Sequence, residues 1–149
     1  MSQSTLLHTS LLTLPRYLNE LQSPLALGLR LYIANIFFQS GLVKLQSWDS
    51  TVALFAGEFQ VPLLNPTVAA YLGTAVELLF PVLLALGLGT RFSALVLFVF
   101  NVVAVLSYPD ISEAGVLQHQ YWGVWLLVLI AYGPGRWSLD CLTHRRLTR

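Results

Sequence analysis

The stretch TVAAYLGTAVELLFPVLLALGL, from Thr67 to Leu88, contains a single charged side chain. That side chain is Glu77, which lies at the centre of the stretch and four residues before Pro81. About 20 apolar residues in a helix suffice to cross the hydrocarbon core of a bilayer. The stretch therefore predicts a membrane-spanning helix that carries a carboxyl group at mid-depth.

The composition of the whole chain extends this prediction. Of the 149 residues, 56% are hydrophobic and 10% are charged, and the mean hydropathy is +0.68. Soluble domains carry about 25% charged residues. We predict an all-α protein, a single integral membrane domain over residues 1–149 built as a four-transmembrane-helix bundle. The four spans are predicted at about residues 24–45, 66–88, 91–108 and 118–133.

Local signals set these boundaries. Ser23–Pro24 and Asn65–Pro66 each combine a capping side chain with a proline at the first helical position. The sequence GPGR should close the fourth span, because Gly133 can take a left-handed cap and Pro134 cannot continue the helix. Arg136 and Asp140 are four residues apart and could pair on a further short helix.

The N-terminal segment differs in character from the spans. Leu14, Leu18 and Leu21 share one helical face, which predicts a short amphipathic helix on the membrane surface. The segment lacks a basic region and an A-x-A cleavage site, so we expect it to be retained. Elsewhere, the single cysteine, Cys141, excludes an internal disulfide.

Basic residues are distributed unevenly between the two sides of the bundle. Lys44 alone falls at one end, whereas the other seven basic residues fall at the end that holds both termini: Arg16, Arg30, Arg91, Arg136, Arg145, Arg146 and Arg149. Lysine and arginine favour the cytoplasmic side. We therefore predict a multi-pass protein of the bacterial inner membrane with both termini in the cytoplasm.

Glu77 is expected to face the bundle interior, because an ionised carboxylate exposed to lipid costs at least about 2.5–3.5 kcal/mol. It could handle protons or contact a ligand, or it could be a structural acid paired with a base. Arg30 is the predicted partner. Pro81 removes the hydrogen bond to the carbonyl of Glu77, so a kink is expected there. Gly41 should allow close helix approach, and Lys44 is interpreted as an interfacial anchor.

Other polar side chains lie within the spans. Asn35, Gln39 and Asn101 are interpreted mainly as interhelical hydrogen-bonding groups, with ligand binding as the alternative. His119 is interpreted as solvated near the outer surface; the alternatives are protonation, haem or metal ligation, or contact with a quinone head group. The sequence contains no metal, haem, flavin or nucleotide motif, and no nucleic-acid partner is expected.

Three stretches resemble motifs of one known family, and they occur in the same order and at similar spacing. RLYIANIFFQSGLVKL (residues 30–45), AVELLFPVLLALGLGTRFSALVL (75–97) and GPGRWSLD (133–140) are similar to motifs of the DoxX family. The resemblance covers residues 25 to 142 and implies a four-helix membrane bundle. The resemblance places the family's motif residues at Arg30, Gly41, Lys44, Glu77, Arg91 and Asp140. Phe80 and Pro81 occupy positions that are often glycine in the family.

The family takes its name from a subunit linked to thiosulfate and quinone chemistry, and some members are encoded beside proteins that make copper-binding peptides. The resemblance therefore implies an accessory or quinone-associated component of a membrane redox system. The alternative is a non-catalytic partner that supports assembly, export or copper handling by another membrane or periplasmic protein. The sequence leaves enzymatic activity and homo-oligomer formation open. A transporter is disfavoured because four helices are few for alternating access.

The basic bias predicts the topology directly. Reporter fusions at Asp49 or Glu113 should report an external location, and a fusion at Arg149 should report a cytoplasmic one. Alkaline phosphatase and green fluorescent protein fusions measure the two locations. An external C-terminus would reverse the orientation and move His119 to the cytoplasmic side.

Overall fold

The computed structural model describes the backbone of residues 3–61 and 63–147 and the side chains of residues 20–61 and 63–143. Within these ranges all regular secondary structure is helical, and four helices are long and apolar enough to cross a membrane. This confirms the predicted all-α fold with four spans. The helices are α1 (Gln3–Gln46), α2 (Trp48–Gly57), α3 (Pro66–Leu86), α4 (Thr90–Ser107), α5 (Glu113–Tyr132) and α6 (Leu139–Leu147).

The second and fourth spans begin at side-chain caps. Asn65 accepts a hydrogen bond from the backbone N–H of Thr67 at 2.9 Å, and Pro66 follows it as the first residue of α3. Ser112 accepts from the backbone N–H of Gly115 at 3.1 Å, so α5 starts at Glu113, earlier than the predicted residue 118. Pro81 lies inside α3, and the expected kink stays a prediction.

The N-terminal segment is not a separate surface helix. α1 runs without interruption from Gln3 to Gln46, so the predicted helix start at Ser23–Pro24 is wrong. The hydroxyl of Ser23 is buried and accepts a hydrogen bond from the backbone N–H of Arg136 at 3.1 Å. Ser23 therefore attaches the C-terminal turn to α1 and does not begin a helix.

The four spans close into a ring around one core. Each span packs against the next, and α5 returns to contact α1. The core consists of buried apolar residues from all four spans: Ile33, Phe37, Leu84, Ala94, Leu97, Leu126 and Leu129. The apolar residues on the outer faces are exposed, as expected for helices that face lipid.

The close contact between α1 and α3 fixes their relative height. Gly41 lies against Leu78 and Glu77, and a Cβ atom added to Gly41 would be 3.1 Å from the Glu77 Cβ. α1 ends five residues beyond Gly41, whereas α3 begins eleven residues before Glu77. At 1.5 Å per residue, α1 stops about 9 Å below the start of α3.

Helix α2, which was not predicted, occupies the space left above the end of α1. Phe55 packs on Ala69 and Ala70 in the first turns of α3. The Thr51 hydroxyl donates to the backbone carbonyl of Lys44 at 2.8 Å, which attaches α2 to α1. The loop between the first two spans is therefore a packed element of the bundle.

The GPGR sequence ends the fourth span as predicted, because α5 stops at Tyr132. Gly133 has a φ of 82° and a ψ of −165°, so it is not the predicted left-handed cap. Its positive φ reverses the chain and brings α6 toward the turn between α3 and α4. Pro134 follows immediately and prevents the helix from continuing.

The α1–α3 contact generates a stability prediction. Gly41→Leu should destabilise the protein by about 1–3 kcal/mol, because the new side chain would overlap Leu78 and push α3 away. Gly28→Leu is the matched control on the same helix, since a Cβ atom at Gly28 has no neighbour within 4 Å. Thermal unfolding in detergent measures both. Equal unfolding temperatures for the two variants would contradict the packing argument.

Candidate functional site

Three side chains form an ionic cluster between α1 and α3, the Lys44–Glu77 cluster of Ser40, Lys44 and Glu77. The Lys44 Nζ lies 2.6 Å from the Glu77 Oε2 and donates to the Ser40 Oγ at 3.1 Å. The Ser40 hydroxyl donates to the Glu77 Oε1 at 3.0 Å. The side chains of Lys44 and Glu77 are only 16% and 6% exposed. The acid is thus in the interior, as expected.

The local sequence explains how these groups meet. Ser40 and Lys44 are four residues apart on α1 and therefore share a face. Helical side chains tilt toward the N-terminus, so the Lys44 side chain extends back over Ser40 and toward mid-membrane. Gly41, on the same side of α1, lets the backbone of α3 approach closely. The glycine therefore brings Glu77 within reach of the lysine.

The predicted pairing of Glu77 with Arg30 is wrong. Arg30 lies against Gly87, ten residues beyond Glu77 on α3 and hence about 15 Å along its axis. The prediction assumed that the first span begins level with the end of α3. Helix α1 in fact continues past the end of α3, so Arg30 lies at one end of the bundle and Glu77 lies at its middle.

The interpretation of Lys44 as an interfacial anchor is wrong for a related reason. Helix α1 ends below the start of α3, and α2 covers that end. The lysine therefore lies beneath α2, with Glu77 as its partner.

A cavity of about 150 Å³ adjoins the Lys44–Glu77 cluster. Its wall is apolar apart from Lys44, Glu77 and Ser107, and the aromatic part of the wall consists of Phe55, Phe59 and Phe100. The cavity lies between α2, α3 and α4. The ion pair therefore borders an apolar cavity as well as joining α1 to α3.

An aromatic stack closes the cavity near the end of α4. The rings of Phe55 and Phe59 stack at 4.9 Å between centroids, and Phe59 stacks on Tyr108 at 5.1 Å. The backbone N–H of Gln60 donates to the Ser107 carbonyl at 2.7 Å. Hydrogen bonding to Glu58, reinforced by nearby negative charge, raises the pKa of Tyr108.

A second cluster, the Arg30 cluster of Arg30, Gly87, Trp137 and Asp140, lies at the opposite end of the bundle. Arg30 is fully buried, and its Nη2 donates to the backbone carbonyl of Trp137. The backbone N–H of Asp140 donates to the Gly87 carbonyl at 2.9 Å. This cluster joins α1, the α3–α4 turn and the C-terminal segment.

Asp140 caps the third span from a distance in sequence. Its carboxylate accepts from the backbone N–H groups of Gly89 at 2.7 Å and Thr90 at 2.9 Å. Negative charge at a helix N-terminus is stabilising, because the free N–H groups and the helix dipole both favour it. The predicted Arg136–Asp140 pair is wrong, since α6 begins only at Leu139 and Arg136 precedes it.

The remaining turn residues are also placed at this end. Arg91 is exposed and donates to the Ala131 carbonyl over a long 3.4 Å. Its guanidinium lies beside Gly133, where a Cβ atom would be 3.2 Å from the Arg91 Nε. Arg91 therefore links the start of α4 to the end of α5, and Gly133 leaves room for it.

The intramembrane amides divide into two groups. Asn101 is buried and connects α4 to α5: its Nδ2 donates to the backbone carbonyl of His119 at 3.0 Å, and its Oδ1 lies 2.8 Å from the His119 Nδ1. Asn35 and Gln39 are exposed, and Asn35 lines a groove between α1 and α3 beside Pro81, so their interhelical role stays a prediction.

His119 is not the solvated interfacial side chain that was expected. It is half-buried, is held by Asn101, and its ring lies 4.7 Å from the Trp122 ring between centroids. Among the residues whose side chains are described, no three histidine, cysteine or acidic residues are grouped so as to hold a metal ion.

Sequence reasoning missed Ser40 and the aromatic cover of the cavity. The spacing of Ser40 from Lys44 was a usable signal, because a hydroxyl four residues before a lysine can accept from its ammonium group. Phe55 and Phe59 carried no comparable signal. Their role depends on the packing of α2 against α3.

Comparison with known proteins gives a consistent result. The model of the DoxX family matches residues 25–109. An uncharacterised protein of Haemophilus influenzae is 37% identical over 126 residues, which cover 78% of this chain and 82% of that protein. An uncharacterised membrane protein of Mycobacterium tuberculosis, Rv3486, is 29% identical over 150 residues and 90% of each chain. No solved structure matches this chain.

The Lys44–Glu77 cluster predicts a thermodynamic coupling. Glu77→Gln should lower stability by about 3–5 kcal/mol, because the Lys44 charge would remain buried without its partner. The double variant Lys44→Met, Glu77→Gln should recover much of that loss. Chemical or thermal unfolding in detergent measures the cycle, and Glu20→Gln, at an exposed acid of α1, is the control. Additive effects of the two single variants would contradict direct coupling.

The geometry of the Arg30 cluster predicts that alanine substitutions at Gly87 and Gly89 lower the stability of the protein by different amounts, although the two glycines have similar backbone conformations. Gly87 and Gly89 both have left-handed conformations, with φ of 72° and 54°. Gly89→Ala should cost about 1–2 kcal/mol from the backbone alone, because its Cβ meets open space. Gly87→Ala should cost about 1–3 kcal/mol more, since its Cβ would collide with Arg30 and Ser138. Equal losses in thermal unfolding would exclude the steric contribution.

Proposed function

Because this chain belongs to the DoxX family, we propose that it is a quinone-associated component of a membrane redox system and that the quinone ring binds beside Lys44 and Glu77. The observation that carries the proposal is the apolar cavity against the Lys44–Glu77 cluster. The sequence holds no self-contained catalytic motif. The redox chemistry itself would therefore belong to another membrane or periplasmic protein.

The chemistry of the cavity wall matches the two parts of a quinone head group. A quinone is an apolar ring with two carbonyl oxygens that only accept hydrogen bonds. Lysine has three N–H donors, and those of Lys44 reach Ser40 and Glu77, which leaves one for a ligand. Phe55, Phe59 and Phe100 supply aromatic surface against which a ring can pack.

Energetics also favour a ligand-binding role for the cluster. A buried ion pair is a weak source of stability, because apolar residues of similar size often serve as well or better. Ionisable groups within a membrane are by default candidates for function. An ion pair placed at a cavity, with one lysine donor remaining, fits a binding role better than a packing role.

The distribution of charge supports the inner-membrane orientation as part of the proposal. Lys44 is the one basic residue at the end opposite the two termini, and it forms an ion pair with Glu77. Arg91 and Arg136 are exposed and lie at the end that also holds Asp140. This end would face the cytoplasm, and the cavity would then lie in the outer half of the membrane.

Duroquinone, a tetramethylbenzoquinone without a tail, tests the proposal. The purified protein in lipid nanodiscs should bind it in equilibrium dialysis. Lys44→Met should weaken binding about tenfold, as expected for one lost hydrogen bond from a charged donor. Arg136→Met is the control, because its side chain is an exposed cation remote from the cavity.

Circular dichroism and size exclusion establish that each variant is folded. Equal duroquinone binding by Lys44→Met and the wild type would contradict the assigned site. Absence of quinone binding by the folded wild type, together with no quinone extracted from it, would reject the function in favour of a non-catalytic partner role.

A further inference from the structure

We infer that His119 forms a second ligand site, in which its Nε2 accepts a hydrogen bond from the hydroxyl of a hydroquinone. The site lies between α4 and α5, on the face of α4 opposite the Lys44–Glu77 cavity. That the ligand is a hydroquinone rests on the proposed function. That the site offers a hydrogen-bond acceptor follows from the geometry alone.

The contacts of Asn101 determine which ring nitrogen carries the proton. A backbone carbonyl only accepts hydrogen bonds, so the atom that faces the His119 carbonyl at 3.0 Å must be the amide nitrogen of Asn101. The amide oxygen then faces the His119 Nδ1 at 2.8 Å. Because that oxygen also only accepts, Nδ1 must carry the proton. In the neutral ring, Nε2 is therefore an acceptor with a free lone pair.

This acceptor has no hydrogen-bond partner within residues 20–61 and 63–143. His119 is half-buried, and it lines a groove of about 490 Å³ between α4 and α5. Apart from Asn101, His119 and Gln120, the groove is lined by apolar residues, among them Phe98 and Leu127. A free acceptor beside an apolar groove favours a ligand that brings a donor on an apolar body.

The neighbouring aromatic rings indicate which chemical group the ligand carries beside its donor. Trp122 lies against the imidazole of His119, and Phe98 belongs to the same groove. Gly123 borders the same groove, and a Cβ atom added there would be in ordinary van der Waals contact with Asn101 and Phe98, at 3.5 and 3.6 Å. An aromatic ring with a hydroxyl group fits these surroundings, and the aliphatic remainder of the groove suits a hydrocarbon tail.

The two sites then differ in hydrogen-bonding polarity. Lys44 donates, so it can bind the carbonyl of an oxidised quinone. The neutral His119 ring offers only an acceptor to a ligand, so it cannot bind a quinone carbonyl but can bind the hydroxyl of the reduced form. The two faces of α4 would thus hold the oxidised and reduced forms of one carrier.

The test uses durohydroquinone under anaerobic conditions with the full chain in nanodiscs. Nitrogen-15 NMR of histidine-labelled protein, assigned by loss of the signal in His119→Phe, reports the state of Nε2. The wild type should show an unprotonated Nε2 whose resonance moves upfield when durohydroquinone is added. The dimethyl ether of durohydroquinone, which has the same ring and no donor, should leave the resonance unchanged.

Binding measurements give an independent readout. His119→Phe should bind durohydroquinone about tenfold more weakly than the wild type, for one lost hydrogen bond in an apolar site. Gln118→Phe is the matched control, because Gln118 is exposed and adjacent in sequence. Lys44→Met should leave the His119 response to durohydroquinone unchanged.

Three results would overturn the inference: a protonated Nε2 in the free protein, an unchanged resonance with durohydroquinone, or an equal response to dioleoylglycerol, which would indicate a lipid hydroxyl. These outcomes are separable from failure of the proposed function. If the wild type does not bind duroquinone but its His119 resonance still responds to durohydroquinone, the first site alone is rejected. If the wild type binds duroquinone but the His119 resonance does not respond, the second site alone is rejected.

Discussion

The ion pair between Lys44 and Glu77 is the constraint on which the rest of the bundle depends. A carboxylate near the middle of a membrane must be paired or neutralised, and its partner comes from the end of α1. That pairing requires Gly41 at the contact with α3 and an α1 helix that ends below the start of α3. The offset in turn leaves the space that α2 fills. The acid, the glycine, the offset end of α1 and helix α2 are therefore parts of one arrangement.

The other end of the bundle is held together by different chemistry. Arg30 contacts the α3–α4 turn and the C-terminal segment, and Asp140 completes that junction by capping α4. Helix α1 is thus held at two heights of the bundle, through Lys44 near its C-terminal end and through Arg30 about four turns earlier. Because α1 is attached at two heights, it is restrained from sliding along α3 or tilting away from it. The cavity between α2, α3 and α4 therefore keeps its shape.

Helix α4 separates two environments of opposite hydrogen-bonding character. One face carries Phe100 and Ser107 toward the cavity beside Lys44, and the other carries Asn101 toward His119. The same helix is capped by Asp140, so its position depends on the C-terminal segment. The Arg30 cluster therefore supports both candidate sites, although it touches neither of them.

The sequence by itself determined the number of spans, the start of α3, the end of α5, the interior position of Glu77 and the role of Asn101 between helices. These features depend on hydropathy, capping residues and the cost of exposing polar groups to lipid, all of which are local properties. The tertiary structure decided the partner of Glu77, the presence of helix α2, the exposure of Asn35 and Gln39, and the capping by Asp140. Each depends on how far one helix is shifted along another. That shift is set by side-chain contacts such as Gly41 against Leu78, which neither a hydropathy pattern nor a spacing rule within one helix can report.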